Sequence, residues 1–88
     1  MSATGQLRLF VLEALDRTGD EPMPESALVA SVQLAHRHLK AGEEDVRKVI
    51  VGMEDDGLIS STQDVVTEQS LWVLTPKGQA AYRARAGH

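Results

Sequence analysis

Read for where apolar residues recur, the chain separates into four stretches of helical period and one of alternating period. The clearest is residues 42–58, GEEDVRKVIVGMEDDGL. Val46, Val49, Ile50 and Met53 fall at i, i+3, i+4 and i+7, a single stripe along an α-helix. Glu43, Glu44 and Asp45 occupy its first turn, where the positive end of the helix dipole favours carboxylates. Gly57 is placed as a left-handed stop, and Leu58 where a Schellman cap sets a hydrophobic contact back to Met53. With this stripe turned inward, the outer face is Glu44, Lys48, Val51 and Asp55, flanked by Arg47.

Upstream, residues 6–18 read as a helix closed by Gly19, with Leu7, Phe10, Val11, Ala14 and Leu15 on one face. Leu9 and Leu12 carry the apolar surface further round the cylinder. The helix therefore requires cover on more than one side, from the C-terminal helix or from a second copy. Two prolines flank Met23 and force an extended break, with Met23 inward in a short strand or bridge. A second helix follows from Glu25 to about His38, its inward stripe Leu28, Val32, Ala35 and Leu39. Residues 36–42, HRHLKAG, turn the chain into the third helix.

Beyond Leu58, residues 59–63 and 69–74 alternate around the polar stretch DVVTE and predict a β-hairpin. Neither Asn-Gly nor Asp-Gly occurs there, so the tip is expected to be longer than two residues. In the second strand Trp72 and Leu74 share one face, Leu71 and Val73 the other. Thr75-Pro76 is a helix start, a capping hydroxyl followed by proline at the first helical position. The last helix carries Ala80, Ala81, Tyr82 and Ala84 and ends in Arg83 and Arg85.

Length and composition narrow the picture. Eighty-eight residues suffice for one domain, taken as residues 1–88 with an ordered core of about residues 6–85. The absence of cysteine removes disulfides and thiolate metal sites. No run approaches the ~18 apolar residues of a membrane span, and the N-terminus lacks a basic leader, so the cytoplasm is the expected compartment. The formal net charge of −4 counts against a large phosphate footprint, although local patches decide binding.

The residues VRKVIVGMEDDGLI (46–59) resemble the recognition-helix exit of MarR-like and PadR-like regulators. LWVLTPKGQAAY (71–82) is similar to their wing exit, with Trp72 where a tyrosine usually stands. Taken with LFVLEALDRTGDEPMPESAL (9–28), the chain also looks like the small stand-alone winged-helix proteins of Mu-like prophages. The fold this resemblance implies is a winged helix-turn-helix, mainly α with a small β-hairpin. The function it implies is DNA binding, with the third helix in the major groove and the hairpin against backbone or minor groove.

Candidate contacts to double-stranded DNA are Arg37, His38, Lys40, Arg47 and Lys48, gathered about the turn; the same cations also suit a solvated helix end. Glu44 and Asp55 on the reading face, and Asp64 and Glu68 at the wing tip, repel phosphate. The second function class is accordingly a protein-interaction module. Its candidate interface is Val51, Val65, Val66, Leu71 and Val73 toward a protein partner, with Leu9 and Leu12 toward a second copy in a homodimer. A hairpin register shifted by one would instead bury Leu71 and Val73.

Trp72 offers a stacking surface for a base, but a single tryptophan in a strand beside an apolar helix points to the core. His36 and His38, two apart on a helix, face different sides and make a poor metal pair. Glu54, Asp55 and Asp56 are consecutive and cannot converge on one substrate. No nucleophile–histidine–acid set, phosphate loop or metal spacing is present, so neither an enzyme, a cofactor nor a metal is expected.

Overall fold

A computed structural model describes residues 3–35 and 42–86. In chain order the elements are α1 (Ala3–Thr18), β1 (Met23–Pro24), α2 (Glu25–Ala35), α3 (Glu43–Asp55), β2 (Ile59–Gln63), β3 (Ser70–Leu74) and α4 (Pro76–Ala86). The strands form one antiparallel sheet in the order β1-β3-β2. This is the winged-helix order, mainly helical with a small sheet.

The hub is α1, which packs against α2, α3, α4 and β3. Leu7, Val11, Leu12, Ala14 and Leu15 are all buried, so the chain itself covers most of this wide apolar surface and leaves Leu9 half-covered. The helix starts at Ala3, three residues before the start expected at residue 6. Ala3, Thr4 and Gly5 contain no proline to stop the helix growing back into a polar turn. Its other end closes at Gly19, whose N–H donates to the Asp16 carbonyl.

In α2 the buried residues are Leu28, Val29 and Val32, whereas Ala35 is exposed. The inward sector is thus turned toward Val29, away from the expected Leu28–Val32–Ala35 line, and Leu39 lies outside the described residues. The sheet has the expected faces. Trp72 and Leu74 are buried opposite Ser61 and Ile59, while Leu71 and Val73 stand half-covered opposite Thr62 and Ser60. Met23 pairs with Trp72 and packs against the core, so the predicted bridge is a short third strand.

The core joins Leu15, Leu28, Val32, Ile50, Met53 and Ile59, all essentially inaccessible, to Trp72 and Leu74. Removing the side chain of such a residue costs about 2–5 kcal/mol. In a small domain that is a large part of the total stability.

Candidate nucleic-acid interface

The inward stripe of α3 is the predicted one: Val46, Val49, Ile50 and Met53 are buried. Glu44, Arg47, Lys48, Val51 and Asp55 are therefore outward and exposed, with Val51 at 56 %. Glu44, Arg47, Lys48 and Val51 line one shallow hollow on this face.

Both ends of α3 are held. At its start the Asp45 carboxylate accepts the Gly42 N–H at 3.0 Å, the returning half of a capping box. Glycine has no side chain to complete the pair. At its end Gly57, at φ 77°, turns the backbone left-handed. The Gly57 N–H donates to the Glu54 carbonyl and the Leu58 N–H to the Met53 carbonyl, both at 3.0 Å, the two bonds of a Schellman motif.

This exit is then locked to α4. The Thr75 hydroxyl donates to the Gly57 carbonyl at 2.6 Å, with the Leu58 carbonyl also in reach at 3.0 Å. Its oxygen accepts the Gly78 N–H, capping α4. The Thr75 N–H donates to the Leu58 carbonyl at 3.1 Å. Lys77 donates to the Asp56 carbonyl, and Arg8 of α1 pairs with the Asp56 carboxylate at 2.7 Å. Gly78 lies so close to the α3 exit that a Cβ there would overlap the Leu58 carbonyl oxygen. The Thr75-Pro76-Lys77-Gly78 stretch fixes the angle at which α3 leaves the core.

Electrostatically the face is mixed. Arg47 pairs with Glu43 at 2.7 Å along the helix and with Glu25 of α2 at 3.6 Å. Glu25 also accepts the indole N–H of Trp72 at 3.3 Å. Lys48 has no ion pair among the described residues. The three consecutive carboxylates diverge, with Glu54 accepting from Ser61, Asp56 held by Arg8, and Asp55 exposed. Among the described residues, no group of three or more histidine, aspartate or glutamate side chains could hold a metal.

At the wing tip Val65 and Val66 are 93 % and 85 % exposed. The loop carrying them is ordered by one side chain. The Asp64 carboxylate accepts the N–H of Val66 at 2.8 Å and of Thr67 at 3.4 Å, and the Glu68 N–H donates to the Asp64 carbonyl. These backbone donors, Val66 first, hold the Asp64 carboxyl below its ordinary value.

Of the predicted DNA contacts, Arg47 and Lys48 share the outer face of α3, while Arg37, His38 and Lys40 lie outside the described residues. Of the predicted protein-interface residues, Val51, Val65 and Val66 are exposed, and Leu9, Leu71 and Val73 are half-covered. Leu12 is only 6 % exposed and lies in the lining of an α1–α4 groove. Trp72 is 4 % exposed, so its ring belongs to the core and offers no face to a base. Sequence reasoning missed Glu25, whose partners Arg47 and Trp72 come from other elements; an acidic residue just after Pro24 carries no local signal of that role.

Three helices, a sheet-borne wing and a capped helix with its outer face clear of the core define the winged-helix class of protein. Solved structures bear this out. The chain matches Bordetella bronchiseptica BpsR, from a study of how 6-hydroxynicotinic acid regulates that protein's DNA binding. The TM-score is 0.73 at 22 % identity, over 99 % of this chain and 58 % of that one. It matches a MarR-family transcriptional regulator from Silicibacter pomeroyi at TM-score 0.74 and 22 % identity, over 98 % and 53 %. A PadR-like transcription factor from Bacteroides fragilis matches at TM-score 0.75 and 20 % identity, over 96 % and 80 %. The chain thus spans little more than half the length of the first of these structures, and at such identities the likeness is one of fold. No protein-family model matches the sequence, and neither does any curated protein.

Proposed function

We propose that this chain is a non-catalytic DNA-binding module of transcription-regulator type, working on double-stranded DNA in the cytoplasm and, by the resemblance of its sequence, phage- or prophage-related. The observation that carries the reading is α3 itself. Capped at both ends and locked to α1 and α4, it presents Arg47 and Lys48 as solvent-exposed residues on its outer face, Arg47 within reach of Glu25 and Glu43. A rigid helix with basic residues outward is what a major groove accepts. The MarR-family and PadR-like regulators that share the fold support the assignment.

Electrophoretic shift at low salt on fragments of the host or phage genome tests it. Retardation should weaken with salt at a log–log slope of about −2, roughly −0.9 for each of Arg47 and Lys48. Reversing both charges should abolish it, and the absence of any shift at low salt overturns the reading.

A second reading rests on a different observation. From Val49 to Pro76 the sequence has no lysine or arginine, while Glu54, Asp55, Asp56, Asp64 and Glu68 are acidic and the wing valines are bare. A module of this kind captures a protein rather than a duplex. Charge reversal at Arg47 and Lys48 separates the two, because protein capture through the wing survives it.

A further inference from the structure

Two surfaces of this molecule complement one another. The wing tip presents Val65 and Val66 between Asp64 and Glu68. The groove between α1 and α4, about 420 Å³, has an apolar wall and floor of Leu9, Leu12, Leu58 and Ala84, with Arg8 and Arg85 among its lining. The charges are segregated in the same sense. The wing and the strands bearing it hold no cation, whereas α4 carries Lys77, Arg83 and Arg85 and no acid.

We propose that the wing tip of one copy of this chain docks into the α1–α4 groove of a second copy. The valine pair lies on the apolar floor, with Asp64 and Glu68 toward the basic end of α4, since Arg8 is already paired with Asp56. The tip is prepared for this. Asp64 already satisfies the backbone of its own loop, and valine has few rotamers to lose, so docking orders little that is not ordered already. Complementary charge sets the direction of approach and rejects the reverse one. Because tip and groove are different surfaces, the contact is head-to-tail. Each docked copy keeps a free tip or a free groove until a ring closes.

The test uses the full chain alone. Sedimentation velocity from micromolar to millimolar protein should show association that grows with concentration, proceeds past the dimer and weakens with salt. The double variant Val65→Ser/Val66→Ser, altering the tip, and Ala84→Trp, filling the groove, should each weaken association by about tenfold or more. Circular dichroism checks that each is folded, and Ala84→Glu replaces the tryptophan variant if that one is not. Mixing the two variants in equal amounts decides the matter. Between them they keep one sound tip and one sound groove, so the mixture should form a one-to-one heterodimer and stop there.

A monomer at every concentration overturns the proposal. So does a dimer lost in the groove variant but kept in the tip variant, which signals symmetric groove pairing. A mixture that stays monomeric overturns it as well. No DNA enters the measurement, so its failure leaves the reading of α3 standing, and failure of DNA binding leaves this contact standing.

Discussion

The exit of α3 and the tip of the wing are both ordered, but by different means. At the exit Gly57, Leu58, Thr75 and Gly78 come from distant parts of the chain and interlock through backbone carbonyls, with Arg8 and Lys77 closing on Asp56. At the tip one carboxylate holds its own four-residue neighbourhood, and the valine side chains above it are almost fully exposed. Disturbing the first disturbs the whole fold, because its contacts are tertiary. Disturbing the second changes a surface. Order at the tip without burial is what a binding loop needs, since its shape is set before a partner arrives.

The comparison can be broken most severely at Gly78. Gly78→Ala drives a methyl group into the Leu58 carbonyl and should cost about 2–3 kcal/mol, in the upper range for overpacking. Differential scanning calorimetry should register a fall of roughly 10–20 °C in Tm for a domain this small. Next comes Thr75→Val, which removes the α4 cap and the hydroxyl bond to Gly57 while keeping the shape. A loss of about 1–2 kcal/mol in urea unfolding is expected. Arg8→Ala breaks a half-exposed ion pair and should shift the urea midpoint by no more than about 0.5 kcal/mol equivalent.

The smallest global effect and the sharpest local one belong to Asp64. Its folded carboxyl sits below the ordinary value, so its bonds to Val66 and Thr67 are fully present above the unfolded value and fail as pH falls through the folded one. Amide hydrogen exchange by NMR should show Val66 and Thr67 losing protection in that acid window while Ile50 and Met53 keep theirs. Asp64→Asn should abolish the pH dependence at the tip and leave Tm unchanged. Core amides opening together with the tip would erase the distinction between the two regions.

What could be read from the sequence follows from range. The stripe Val46–Val49–Ile50–Met53, the Gly57 stop, the alternating strand with Trp72 inward and the Thr75-Pro76 start are written within a turn or two of chain, where periodicity and capping act. The start of α1 was illegible because Ala3–Gly5 carry no large apolar side chain, and Ala35 misled because helix rotation is chosen by the packing partner. The site fared less well for the same reason. Which outward residues α3 would show followed from its own stripe, but the hold of Glu25 on Arg47 is set by how α2 lies beside α3. The α1–α4 groove joins the two ends of the chain, beyond any local pattern.

The carboxylate of Glu25 touches both Arg47 and the indole nitrogen of Trp72, and the chain has one tryptophan. That makes the protein its own optical reporter. Any ligand that draws the guanidinium of Arg47 off Glu25 alters the hydrogen bond on a buried, solitary tryptophan. Occupancy of the outer face of α3 becomes visible in intrinsic emission, with no label attached.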